Sequence, residues 1–259
     1  MIYTRIITLI KYLLTLILFF NLSPLLFSQE TSNLKLDEGK KEELYGLIKN
    51  YILDNPEIII EAIEIFQKKQ SSNALKKEKE IIKSLNSELY NDSNSHFFGN
   101  ENSQLKVVEF IDYNCGYCKK NHEIIMNILE ENNDIKYIIK ELPILGESSL
   151  LASKFAIIIY LIDGPKIYEK FFDSLMRYNS QLNFEILTKI SKKVGSSVEN
   201  FDSYFNSDEV NNIILRNLSL ADKLSIEGTP TFIIENNVIR GFISFDQFQE
   251  IIDNLRKKK

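Results

Sequence analysis

The two cysteines of this chain, Cys115 and Cys118, lie three residues apart, where a β-rich run over residues 105–112 gives way to an amphipathic helical pattern carrying Ile124, Ile125, Ile128 and Leu129. Two sulfurs this close cannot staple distant segments, so a disulfide scaffold is excluded and the fold must rest on an apolar core. With 259 residues, 44% of them hydrophobic, the chain is long enough to build one. A cysteine at a strand-to-helix junction sits against the unpaired N–H groups and positive end of the helix, which favour its thiolate. An ordinary thiol, with a pKa of ~8.5, is only about 3% ionised at pH 7. Stabilising the thiolate also stabilises the dithiol over the disulfide and makes the pair more oxidising. Cys115 is therefore the expected nucleophile. Cys118, one turn further and deeper, is the expected resolving thiol.

Other chemistries use the same sulfurs. In a zinc site His122 would supply a third ligand at helical spacing from Cys118, with His96 or an acid as the fourth. Structural zinc sites, however, usually present their cysteine pair from a knuckle or ribbon, and His122 reads as a helix-surface residue. A reduced pair can also chelate soft Cu(I), so a metal-binding module is the alternative function. Thiol exchange itself calls for no cofactor and no bound metal. The formal charge of −5 repels nucleic acid, which is set aside as a partner.

Glu109 stands in the strand before the cysteines. Alternation puts it on the same side as Val107 and Ile111, among apolar neighbours. Burial would raise its pKa and make it a proton donor or acceptor for Cys118. The alternative is a charged residue on a wet strand face.

Residues 1–28 carry Arg5 and Lys11, an apolar stretch over 12–20, and then Asn21, Ser23 and Pro24, which is the pattern of a signal peptide. Leu26 fits the small-residue cleavage rule poorly, so an uncleaved membrane anchor is the alternative. In both cases the rest of the chain is exported to a compartment where disulfides persist. Residues 29–92 read as a helical extension. A first helix bears Leu44, Leu47, Ile48, Tyr51 and Ile52; Asn55 suits the N-cap and Pro56 the first position of a second. That second helix presents Ile59, Ile60, Ile63 and Phe66, turns polar over 67–80, and resumes an apolar face at Ile81, Ile82, Leu85 and Leu89. Such stripes need a partner. Two readings are open: packing on the main domain, or self-association through 44–66 with the polar stretch as a solvated connector. The Asn/Asp/Ser cluster at 91–95 reads as a domain boundary.

Residues 93–259 alternate strand and helix patterns: strands at 105–112 and 135–142, helices over 148–224 broken at Gly164-Pro165, Asn179 and Gly195, short strands at 231–234 and 238–239 joined at Asn236-Asn237, and a last helix opened by the capping-box pair Ser244 and Gln247. This order argues an α/β domain with a mixed sheet.

Three stretches together carry a family resemblance: Glu109-Phe-x-Asp-Tyr-x-Cys115-x-x-Cys118-Lys119, Lys140-Glu-Leu-Pro-Ile-Leu-Gly146, and Gly228-Thr229-Pro230-Thr231. Over 97–259 the chain resembles the DsbA family of exported thiol–disulfide oxidoreductases within the thioredoxin superfamily. The resemblance implies a thioredoxin-like fold with a mixed central sheet and an inserted helical subdomain over about 148–224. It implies a cis Thr229–Pro230 bond set against the cysteine pair, with Thr229, Pro230, Gly116 and Tyr117 shaping the substrate-peptide site, and an acidic residue at the position of Glu109. It implies a periplasmic location, unfolded or misoxidised secreted proteins as substrates, and a membrane redox partner, either a quinone-linked oxidant or a membrane reductase. Residues 44–66 resemble the N-terminal oligomerisation segment of trimeric ScsC-like members, which tilts the expected activity toward isomerase or reductase over oxidase. One feature departs from the strongest oxidants of the family. They carry a histidine between the cysteines, whereas here Gly116-Tyr117 offers only a neutral hydrogen bond.

Overall fold

A computed structural model of the chain describes residues 37–197 and 201–257, so the signal-like segment 1–28 lies outside the described residues. The described residues divide into two units, one ending at Phe66 and one starting at Gln67. The division falls earlier than the polar cluster at 91–95.

In the first unit, helix α1 (Glu38–Asp54) starts at Asp37, whose carboxylate accepts the Lys40 N–H at 2.9 Å. Asn55 does not cap the following helix as its sequence position suggests. Its side-chain amide and its backbone N–H both donate to the Tyr51 carbonyl, at 2.8 and 3.0 Å, and so close α1. Helix α2 (Glu57–Ser84) then runs unbroken through the polar stretch over 67–80, as the sequence pattern of the second helix expects. No residue of α1 is buried, and Leu44, Leu47, Ile48, Tyr51, Ile59, Ile60, Ile63 and Phe66 are all exposed.

The second unit is built on a five-stranded sheet of order β1-β3-β2-β4-β5. Strands β2 (Leu105–Ile111) and β3 (Ile135–Glu141) are parallel, joined through helix α4 (Gly116–Glu131). Strands β4 (Thr231–Ile234) and β5 (Asn237–Arg240) form an antiparallel hairpin added to β2. The mixed sheet is as expected. The edge strand β1 (Phe97–Gly99), antiparallel to β3, has no counterpart in the sequence reading. Gly99 (φ +81°) can only be glycine there, because a Cβ would collide with the Ile135 carbonyl oxygen.

Strand β2 is apolar almost throughout because both sheet faces are covered. Val107 and Ile111 pack with Tyr137, Ile139, Phe232 and the sulfurs of Cys115 and Cys118 in one core. Val108 and Phe110 pack on the other face with Ile138 and Ile233, and there Ile82, Leu85, Leu89 and Tyr90 close it. The end of α2 and the short helix α3 (Asn86–Tyr90) therefore belong to this unit's core. The 91–95 cluster is a turn pinned to it, since Asp92 accepts the Ser95 hydroxyl at 3.0 Å and pairs with the buried ammonium of Lys140 at 2.7 Å.

Between β3 and β4 lie helices α5 (Glu147–Asp163), α6 (Pro165–Met176), α7 (Phe184–Val194), α8 (Phe201–Phe205) and α9 (Asp208–Lys223). The breaks fall where glycine and proline put them: Gly164 ends α5, Pro165 opens α6, and Gly195 closes α7 in the left-handed region at φ 88°. The hairpin turn sits one residue earlier than expected, at Glu235-Asn236, because Ile234 pairs with Asn237 and Glu235 takes the positive φ of 56°. Helix α10 (Phe245–Arg256) opens with the expected capping box of Ser244 and Gln247. Among the described residues no helix is long and apolar enough to cross a membrane.

Candidate active site

Cys115 is the N-cap of α4, with extended backbone (φ −75°, ψ 115°), and its sulfur accepts the Cys118 N–H at 3.5 Å. The strand-to-helix junction produces this placement. The chain leaves β2, Asp112 folds the turn by accepting the Cys115 N–H on its carbonyl at 3.0 Å, and α4 begins one residue later. The Asp112 carboxylate, wholly buried, accepts the N–H groups of Asn114 (2.8 Å), Ile144 (2.9 Å) and Leu145 (3.0 Å) and the Ser149 hydroxyl (2.7 Å). It thus ties the cysteine turn to the loop after β3 and to the first turn of α5. Asn114 adds bonds to Ser148 and Ser149, at 2.8 and 2.9 Å.

From the far side comes the loop before β4. The Thr229–Pro230 bond is cis, as the resemblance implies, and the Cys115 thiol donates to the Thr229 carbonyl at 3.0 Å across 114 residues of sequence. The loop is fixed by Thr231, whose hydroxyl donates to the Gly228 carbonyl at 2.7 Å, and by the Gly241 N–H, which donates to the Pro230 carbonyl at 2.8 Å. A shallow cavity of about 180 Å³ lies there, lined by Glu227, Gly228, Thr229, Pro230, Arg240 and Gly241. Gly116 faces open space. Tyr117 is exposed, with the Lys120 ammonium 5.2 Å from its ring centre.

The two sulfurs differ sharply. Cys115 is held down to about 5 from an ordinary 9.0, and the largest cause is the hydrogen bond from the Cys118 thiol. Burial opposes this shift; the Thr229 side chain and the amides of Cys118 and Tyr117 add to it. The helix-end amides expected from sequence do contribute, but the partner thiol contributes more. The Thr229 carbonyl contact works the other way, since a carbonyl accepts only from the protonated thiol. Cys118, almost fully buried, is pushed far up by burial, then by its bond to Cys115 and by the charge of Glu109.

Glu109 is buried, on the core face with the cysteines and not on a wet strand face. Burial raises its carboxyl to about 8, against the lowering effect of a hydrogen bond from Tyr137 and with the Cys115 charge adding to the rise. Hydrogen bonds and charges thus link Glu109, Cys115, Cys118 and Thr229, with Pro230 next to Thr229 in the loop and Gly116 and Tyr117 next to Cys115 in sequence.

His122 is a correction. It is buried, not at the helix surface, because α6 packs over it: Nε2 lies 2.8 Å from Asp173, and the ring meets Phe172 edge-on at 5.4 Å. His96 is also buried, among Phe98, Tyr160 and Tyr168. Sequence reasoning gave no role to Tyr137, Asp112 or Lys119. The Lys119 ammonium donates to the Tyr178 carbonyl; burial lowers its pKa, while Asp112, Cys115 and Cys118 raise it. Asp112 and Lys119 stand inside the cysteine motif, whereas Tyr137 had no signal but its register with Glu109 across the sheet.

A family model described as thioredoxin matches residues 91–254, and one described as the copper resistance protein ScsC N-terminal domain matches 41–71. A solved linker-deletion mutant of Proteus mirabilis ScsC is 29% identical, with TM-score 0.65, covering 88% of this chain and 100% of that one. The thiol-disulfide exchange protein alpha-DsbA2 of Wolbachia pipientis is also 29% identical, with TM-score 0.66, covering 71% of this chain and 98% of that one. Disulfide bond formation protein D of Bacillus subtilis is 26% identical over 174 residues, which is 62% of this chain and 77% of that protein.

Proposed function

The chain belongs to the thioredoxin-like DsbA family, with an ScsC-type N-terminal segment, and from that membership we propose that Cys115 and Cys118 carry out dithiol–disulfide exchange on cysteines of secreted proteins. The chain is a thiol–disulfide oxidoreductase; the roles of its residues, its substrates and its direction are our reading. The observation that carries the reading is the meeting of a thiolate-stabilising helix start with the Thr229–Pro230 loop at the Cys115 sulfur.

The chemistry proceeds in two displacements. The Cys115 thiolate attacks one sulfur of a substrate disulfide, and the other sulfur leaves as thiolate. The Cys118 thiol then gives its proton to Glu109 and attacks the Cys115 sulfur. The Cys115–Cys118 bond forms, and the first substrate sulfur leaves. Run backwards, a substrate thiolate attacks the Cys115–Cys118 disulfide and becomes oxidised. Thr229 and Pro230 offer the backbone edge beside which a substrate strand would lie, with Gly116 and Tyr117 forming the opposite lip. Cys118→Ala should trap mixed disulfides with reduced or scrambled ribonuclease, and Cys115→Ala should not; a Cys115→Ala protein that still exchanges would refute the assignment.

Within this chemistry we favour isomerase or reductase action by an oligomer, a trimer by likeness to ScsC-type members. The support is the row of exposed apolar side chains from Leu44 to Phe66, which two lone helices cannot bury. Light scattering should give an oligomer for the exported chain and a monomer once residues 29–70 are removed; monomers in both cases would refute it. Export rests on the 1–28 pattern, with the periplasm as destination and a membrane redox protein as the partner that resets the pair.

A further inference from the structure

Glu109 has one hydrogen-bond partner that the exchange chemistry has not used. Tyr137 stands on β3, two residues from Ile139, which pairs with Glu109 across the parallel ladder, and its hydroxyl donates to Glu109 Oε2. Both residues are buried, Tyr137 completely. A buried tyrosine hydroxyl is a donor that needs an acceptor, and in this core the acceptor is the carboxyl facing the sulfurs. We propose that Tyr137 is the positioning residue for the buried carboxyl, holding Oε2 of Glu109 so that Oε1 takes and returns the Cys118 proton. This rests on the exchange reading above.

The chemistry of the pair fits that task. A neutral hydroxyl can donate to Oε2 whether Oε1 carries a proton or not, so one geometry serves both halves of the cycle. A cationic partner would hold the carboxylate charged, and an apolar one would leave it protonated. The titratable groups around Glu109 are Tyr137 from β3, Cys115 at the N-cap of α4 and Cys118 within it; β4 places Phe232 opposite it. The hydroxyl bond thus opposes the two influences that keep the acid protonated, burial and the Cys115 charge. When Cys118 resolves a mixed disulfide, its proton goes to Oε1, the Cys118–Cys115 bond forms, and the substrate sulfur leaves with the electron pair. When the disulfide is reduced again, the proton returns to Cys118.

The test replaces the hydroxyl alone, Tyr137→Phe, in the full chain. Reduced protein is mixed with glutathione disulfide, and the second, resolving phase is followed against pH. Loss of the donor should move its midpoint up by about one unit and slow it about tenfold at pH 7. In a Glu109→Gln background the same change should slow nothing further; equal slowing in both backgrounds would mean that Tyr137 acts by packing alone, and would overturn the proposal. A carbon-13 titration of the Glu109 carboxyl in the reduced chain should show the same upward shift, and an unmoved midpoint would also overturn it. That titration needs no turnover, so a wild-type chain inert toward glutathione disulfide would sink the exchange reading while leaving the Tyr137 question decided.

Discussion

The two units use the same kinds of apolar residue to opposite ends. In the larger unit Val107, Phe110, Ile139 and Phe232 are fully buried on one or other face of the sheet, whereas in the smaller Leu47, Tyr51, Ile60 and Phe66 each stand more than half exposed. Helical periodicity is present in both. What differs is the partner: the larger unit carries its own sheet and helices to cover its core, and among the described residues the smaller has only α1 and the first part of α2, whose apolar stripes stay exposed. One is a finished core; the other leaves apolar side chains exposed, which the proposed association would cover.

Truncation tests the contrast most strongly. Phe232→Ala should cost the larger unit about 3–5 kcal/mol, while Ile63→Ala should leave its unfolding within about 0.5 kcal/mol and instead weaken association, as read by denaturant melts beside light scattering. Equal losses of stability would erase the distinction. A second test uses burial itself. Because Glu109 sits at about 8 in the fold against an ordinary 4.5, the folded chain keeps a proton that the unfolded chain releases between those values. Stability should therefore fall as pH rises through that window, and Glu109→Gln should remove the slope, a gain on the order of a few kcal/mol near pH 8–9.

Much of this was legible in advance, for reasons that are local. The strand-to-helix junction fixed where the sulfurs sit, alternation placed Glu109 on the core face, and Gly164-Pro165 and Gly195 marked helix ends by backbone chemistry alone. What escaped was non-local. Nothing in Phe97-Phe98-Gly99 announces an edge strand until β3 exists to pair with it. The burial of His122 depends on α6 arriving over α4, and the Tyr137–Glu109 bond depends on two strands being neighbours in parallel register. The pattern after Phe66 does show an apolar face resuming at Ile81, Ile82, Leu85 and Leu89, but not that this face closes the sheet against Val108, Phe110 and Ile233.

Two smaller effects sharpen the comparison further. Tyr117→His, at an exposed position, should lower Cys115 by about half a unit to one unit and raise the reduction potential by roughly 15–30 mV in glutathione equilibration, with the assembly mass unchanged. A change in mass would mean that the two units are not separable in this way. Ser244→Ala, which removes one half of the α10 capping box, should cost about 1 kcal/mol in a melt of the larger unit and nothing in association.

The stabilisation of the Cys115 thiolate is fully present above the ordinary thiol range and is lost as pH falls through about 5. Titrating the ultraviolet thiolate absorbance of the reduced full chain measures it directly. A midpoint near 5 is the expected result; one near 9.0, the ordinary value, would contradict the claim that this helix start and its partner thiol make Cys115 the reacting sulfur.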